Sequence, residues 1–236
     1  MFSCPVVVNS FNQPTYLKQM IEQLRALQVE NIIVLDQAST NPELVEYLEL
    51  IKKDVTVIKL RENLGPHWFF MERMAFNMPE FFAYTDPDLA FNPNLPKSFL
   101  AEMIEIAKSL GATKVGFALD VFNTEDTVSY PITIGGAQYT TIEWEMQFWR
   151  KPVAHRSYSL FQAPVDTTFA VYQRSAFDPH LHSYIRDNVY DCMDTPGSYR
   201  IAGDFSAVHL PWSRSNPMPA AELDFYATTR AKIHNY

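Results

Sequence analysis

The residues best suited to chemistry in this chain are two aspartates one position apart, Asp86 and Asp88, with Pro87 between them. Hard divalent cations such as Mn²⁺ and Mg²⁺ prefer oxygen ligands and keep positions open for water or phosphate oxygens. Two carboxylates on one turn can serve such an ion, which would neutralise a departing diphosphate. Asp-Pro-Asp is also a favoured turn sequence, so the triplet gains meaning only from where it lies. His209, in Val208-His209-Leu210-Pro211-Trp212, offers a neutral imidazole to complete a metal shell from the opposite side of a cleft. A half-buried structural histidine is the competing reading.

A base that takes a proton from a hydroxyl needs a carboxylate, and the second half of the chain supplies several. Asp166 precedes Thr167-Thr168-Phe169-Ala170 at the start of an apolar run. A carboxylate there is costly unless paired or solvated in a cleft, which marks it for function. Glu143 and Glu145 lie among Trp144 and Trp149. That stretch reads as a sugar-stacking surface or as the acidic first turn of a helix beside core aromatics. Asp191 and Asp194 are further candidates that a solvated loop explains as well. Asp166 ranks first, with Glu145 and Asp191 behind it. His180 and His182 follow Asp178-Pro179 in a loop-like stretch and receive no role.

The elements that must position these groups alternate between strand and helix. Val6-Val7-Val8 is a β-branched run closed by Asn9-Ser10-Phe11-Asn12, and Pro14 opens a helix with Leu17, Met20, Ile21, Leu24 and Leu27 on one face. A second strand, 31–35, is closed by Asp36; Asn41-Pro42-Glu43 then has the cap, proline and acidic first turn of a helix start. The third strand, 55–60, leads to Asn63-Leu64-Gly65-Pro66 and a short aromatic helix around Trp68-Phe69-Phe70. The fourth strand, 81–85, ends in the Asp86–Asp88 triplet. A helix from about 96 to 110 and a fifth strand, 114–119, follow. The pattern predicts right-handed β-α-β units, hence an α/β fold with a mainly parallel central sheet flanked by helices. Ligands sit beyond the carboxyl ends of such strands. Asn9, Ser10, Asp36, Asn63 and Asp86–Asp88 all close strands, so they are expected on one rim as a nucleotide pocket.

After about Asp120 the rhythm changes, with strands expected at 165–173 and 205–210 and a proline-rich, late-helical tail wrapping over the domain. We read residues 1–236 as a single domain, with a nucleotide-binding half, 1–120, and an acceptor half, 121–236. The formal net charge is −8 and no basic run is present. This argues against nucleic acid as partner but leaves room for a small phosphorylated ligand whose metal supplies positive charge. Cys4 and Cys192 read as reduced, buried thiols. No secretory leader and no bilayer-spanning run is read from the sequence, so a cytoplasmic protein is expected, with peripheral membrane contact left open.

Several motifs in this order resemble the glycosyltransferases of the GT-A fold, and among them the family 2-like enzymes of bacterial and viral surface-glycan synthesis. The motifs are the first strand with Asn-Ser-Phe-Asn, the second with Asp36, Arg61-Glu62-Asn63-Leu64-Gly65, and Tyr84-Thr85-Asp86-Pro87-Asp88. The resemblance covers the first 120 residues well and continues loosely through 142–149, 165–172 and 209–212. It implies that Asn9 and Asp36 hold the nucleoside base and that Asn63 and Gly65 lie near base and ribose. Asp86 would face ribose or metal-bound water, Asp88 would be the direct metal ligand, and His209 would match the late metal-ligating histidine. It also implies a UDP- or GDP-sugar donor, less often dTDP-sugar, with Mn²⁺ or Mg²⁺, and a glycan, glycolipid or glycoprotein acceptor. Gly-Gly-Phe-Asp-Glu and the Glu-Asp pair that carries the base in many relatives are absent, which leaves base and inverting outcome open. A sugar-phosphate nucleotidyltransferase would need a glycine-rich loop where Asn9 to Pro14 stand, in a chain with seven glycines. A non-catalytic glycan- or nucleotide-binding module on the same scaffold is the remaining alternative.

Overall fold

A computed structural model describes residues 4–71, 74–134, 136–177 and 195–230. The first strands are β1 (Val6–Ser10), β2 (Ile32–Asp36), β3 (Thr56–Lys59) and β4 (Phe81–Thr85), with β5 (Leu89–Phe91) immediately after the Asp-Pro-Asp turn. Then come β6 (Lys114–Phe117), the hairpin β7 (Pro131–Ile134) and β8 (Ala137–Thr140), β9 (Pro152–Val153), β10 (Leu160–Gln162), β11 (Ala170–Gln173), β12 (Ser198–Ile201) and β13 (Ala207–His209). The helices are α1 (Pro14–Ala26), α2 (Pro42–Ile51), α3 (Trp68–Met71), α4 (Phe99–Leu110), α5 (Thr141–Met146) and α6 (Ala220–Arg230).

Among the described residues, nine strands form the central sheet in the order β3-β2-β1-β4-β11-β6-β12-β10-β9. The first four pair in parallel, as do β6 and β12, while β11 runs antiparallel between β4 and β6. Among the described residues, no helix is long and apolar enough to cross a membrane.

Both faces of the sheet are covered, which is why its strands read as unbroken apolar runs. In β4, Phe81 and Ala83 join the cluster under α1, α2 and α4, while Phe82 and Tyr84 point to an aromatic layer on the other face. Phe69 of α3 stacks on Tyr84 at 5.1 Å, and Phe82 stacks on Tyr172 at 5.2 Å. Local signals set the helix ends. The Asn41 side chain accepts from the amides of Glu43 and Leu44, a cap worth about 1 kcal/mol. α4 ends on Gly111 at φ 58°, where a side chain would be strained.

The strand expected over 165–173 is shorter. β11 begins only at Ala170, because the segment before it spends its backbone groups elsewhere. Arg200 Nε donates to the Pro164 carbonyl at 2.6 Å, Lys114 Nζ donates to the Val165 carbonyl, and the Thr167 carbonyl accepts from the Asp86 amide at 2.9 Å. The segment crosses β6 so closely that a Cβ on Gly116 would collide with Val165 Cγ1 and lie 3.0 Å from the Phe169 carbonyl oxygen. The expected strand over 205–210 narrows to β13, which pairs antiparallel with β5 in a separate ribbon: His209 lies opposite Leu89 and Ala207 opposite Phe91. Strands β5, β7 to β10 and β12 are too short or too polar to announce themselves in the sequence.

Candidate active site

The turns at the carboxyl ends of β1, β2, β3 and β4 are wired together by side-chain amides. Gln37 Nε2 donates to Asn9 Oδ1 at 2.8 Å and to the Gly65 carbonyl at 3.2 Å, while its Oε1 accepts from the Leu64 amide. Asn9 Nδ2 in turn donates to Asp86 Oδ1 at 3.2 Å. The Asn63 carboxamide oxygen accepts from the Gly65 amide, and Tyr84 from the aromatic layer donates to the Pro66 carbonyl. Asn9, Asn63, Gly65, Asp86 and Asp88 therefore line one cavity, of about 110 Å³, together with Phe11, Gln13, Gln37 and Tyr226. Ser10 and Asp36 do not reach it. Ser10 is buried beneath the rim, and the Asp36 carboxylate turns to the Ser39 amide at 3.3 Å. Burial raises the Asp36 pKa, although Ser39 opposes the shift.

A second cavity, of about 250 Å³, opens on the other side of the same aspartates. Its lining includes Asp86, Asp88, Trp144, Asp166, Arg200 and His209. The β5–β13 ribbon brings His209 to Asp88: the Leu210 amide donates to the Asp88 carbonyl at 2.8 Å, and His209 Nε2 lies 3.4 Å from Asp88 Oδ2. His209 thus stands beside Asp88 on the adjoining strand, not across a cleft from it. Burial opposes a charge on the imidazole, but Asp88, Asp86 and Glu145 outweigh it and hold its pKa above the ordinary 6.5.

The carboxylates divide by what they touch. Both Asp86 oxygens are occupied, Oδ1 by Asn9 and Oδ2 by the Thr167 hydroxyl. Glu145, 3 % exposed, forms an ion pair with the equally buried Arg200, whose guanidinium lies 4.1 Å from the Phe148 ring centre. Breaking such a pair costs about 3–5 kcal/mol, which suits Glu145 to structure better than to proton traffic. Asp86, Glu145 and Asp166 all line the second cavity, and Asp166 differs in that its buried Oδ1 has no hydrogen-bond partner. Asp191, with Asp194, His180, His182 and Cys192, lies outside the described residues. Cys4 is buried, and desolvation pushes its thiol up to about 12, so it is inert at neutral pH.

The donor set suits a hard or borderline divalent ion. Asp88 Oδ2 and His209 Nε2 are spaced much as neighbouring ligands on one Mn²⁺ or Mg²⁺ would be, and the His209 Nδ1 is buried without a partner. Among the described residues, no three His, Cys, Asp or Glu side chains converge to hold a metal. A site built on Asp88 and His209 alone would leave most of the shell to phosphate oxygens and water.

Asp86 carries a measurable signature. Burial, then the Asp88 carboxylate, raises its pKa from 3.8 to about 7, against the hydrogen bond from Thr167. The folded chain keeps this proton at pH values where the unfolded chain has lost it. Ligand-free stability is therefore expected to fall as pH rises from about 4 to about 7. Asp86→Asn cannot ionise and should lessen that decline, leaving the part that Asp36 and His209 contribute. Thermal unfolding of the ligand-free protein at about pH 5 and about pH 8 checks this; an equal decline in the variant would place its cause elsewhere.

Sequence reasoning missed Gln37, Thr167 and Arg200. Gln37 directly follows Asp36 and was passed over for its charged neighbour. Thr167 and Arg200 act through contacts 81 and 55 residues away along the chain, with no local signal.

The sequence model for glycosyl transferase family 2 matches residues 6–177. Among curated proteins none matches the chain. Among solved structures, the chain is similar to the mannosyltransferase PcManGT from Pyrobaculum calidifontis in complex with GDP-Man and Mn²⁺. The TM-score is 0.54 at 14 % identity, covering 91 % of this chain and 58 % of that one. At this identity the likeness concerns the fold, and the chain spans less than two thirds of the relative's length.

Proposed function

The chain belongs to glycosyl transferase family 2, and from that premise we propose that it moves a sugar from a nucleoside-diphosphate donor to an acceptor hydroxyl in glycan synthesis. The observation that carries this reading is the pair of cavities sharing Asp86 and Asp88 as a common wall. A donor in the first and an acceptor in the second would meet at those two carboxylates. The halves 1–120 and 121–236 would then serve donor and acceptor within one domain, with Tyr226 reaching back to the donor side.

In this mechanism Asp88 and His209 would hold a Mn²⁺ or Mg²⁺ ion. When bound, that ion supplies positive charge to the diphosphate as it leaves. Asp86 stays tied to Asn9 and Thr167 and braces the turn, facing ribose or a metal-bound water. Asp166 takes the proton from the acceptor hydroxyl. The acceptor oxygen bonds to the anomeric carbon as the bond from that carbon to the diphosphate oxygen breaks, and the diphosphate departs with the electron pair. Attack from the face opposite the leaving group inverts the anomeric centre. The GDP-Man and Mn²⁺ held by the structural relative support a GDP-sugar and a divalent metal; a UDP-sugar rests on the family reading alone. A glycan, glycolipid or glycoprotein is the acceptor this family reading supports.

Calorimetric titration of the full chain with GDP, UDP and dTDP, with Mn²⁺ or with EDTA, tests the reading. Binding of one nucleoside diphosphate that EDTA removes is the expected result. Absence of binding across the panel would turn the assignment towards a non-catalytic member of the fold.

A further inference from the structure

One wall of the donor cavity comes from beyond the span that the family model matches. Helix α6 lies past residue 177, yet its Tyr226 lines the cavity together with Phe11 from the turn after β1. The two rings stand 6.2 Å apart at 59° and are the aromatic part of a lining otherwise dominated by amides and carboxylates.

Side chains two turns apart fix α6 in place. Glu222, 5 % exposed, accepts from the Thr15 amide at 3.3 Å and from the Thr15 hydroxyl at 2.6 Å. Further along, the Thr229 hydroxyl accepts from Asn12 Nδ2 at 3.0 Å. Asn12 sits at φ 52°, and its Oδ1 accepts from the amides of Thr40 and Asn41 at 2.8 and 2.9 Å. The residue that joins the turns after β1 and β2 therefore also anchors the helix carrying Tyr226. Two polar anchors at the rim, one of them buried, place the ring at the cavity by construction.

We propose that Tyr226 is a nucleobase-binding residue: with Phe11 it takes the flat face of the donor's base while the Asp86–Asp88 side takes the diphosphate. The inference rests on the donor-site reading above. The division follows from chemistry, since carboxylates handle a metal–diphosphate and a ring face handles a π-system. Stacking tolerates any base, so Tyr226 separates nucleoside diphosphates from diphosphate alone without choosing among bases.

The test is calorimetric titration of the full chain with GDP, UDP and inorganic pyrophosphate, each with Mn²⁺. Tyr226→Ala is expected to weaken GDP and UDP roughly tenfold and to leave pyrophosphate unchanged. Tyr226→Phe keeps the ring and should bind as the parent does, which holds the test open if the alanine variant folds poorly. Leu223→Ala, at a position of the same helix that is 51 % exposed, is the control and should change nothing. Unaltered GDP binding in Tyr226→Ala, or an equal loss for pyrophosphate, overturns the inference while the donor site stands. If the unaltered protein binds none of the three, the donor-site reading falls and this inference falls with it.

Discussion

Asp88→Asn is expected to abolish Mn²⁺-dependent nucleoside-diphosphate binding and to cut turnover by about 10³-fold, with the fold intact. The substitution is nearly isosteric, and the backbone contact that holds the turn, the Leu210 amide to the Asp88 carbonyl, does not involve the side chain. What it removes is the carboxylate facing His209 at 3.4 Å. Asp86 is a poor substitute, because its oxygens already accept from Asn9 and Thr167. Ligand at a hundred times its Kd stabilises by about 2.7 kcal/mol, which is roughly 5–10 °C for a chain of this size. That shift should vanish in the variant. The ligand-free variant should melt close to the parent, since the like charge beside Asp86 and the ion pair with His209 are lost together. A retained Mn²⁺-dependent shift, or full turnover, would remove the metal site from the mechanism.

Asp166→Asn should lower the rate of transfer by about 10²- to 10⁴-fold while leaving donor affinity in place. The segment that carries Asp166 is held through its backbone by Arg200, Lys114 and the Asp86 amide, so the carboxylate is not what keeps it in position. Its buried Oδ1 has no protein partner, and in the proposed mechanism Asp166 takes the acceptor's proton. A kcat effect without a Kd effect is therefore the signature of a base, whereas a structural carboxylate would disturb both. Should donor affinity fall and the rate per bound donor persist, the proton goes to another group.

Nearly all of the first half of the fold is legible in the sequence because its signals are local. The run Val6-Val7-Val8, the Asn41-Pro42-Glu43 cap and the apolar face Leu17, Met20, Ile21, Leu24 each need only near neighbours to be read. Those same elements place Asn9, Asn63 and Asp86–Asp88 on one rim, since the end of a parallel strand fixes where its next residues lie. Asp36 occupies an equivalent position but turns to Ser39, a choice of side-chain direction that strand ends do not dictate.

The sequence by itself determined the alternating α/β pattern, the polar rim and the likeness that names the family. Only the tertiary structure decided which carboxylates share a site and which are committed elsewhere. β13 finds β5 across more than a hundred residues to bring His209 to Asp88, and Arg200 crosses from β12 to claim Glu145. Gly116 lets the 164–169 segment pass close enough to seat Thr167 on Asp86 and leave Asp166 at the second cavity. The reason is physical. Periodicity and capping are energies between neighbours in the chain, and they are written in composition and spacing. The partner of a buried charge is fixed by long-range packing, and no local pattern encodes it.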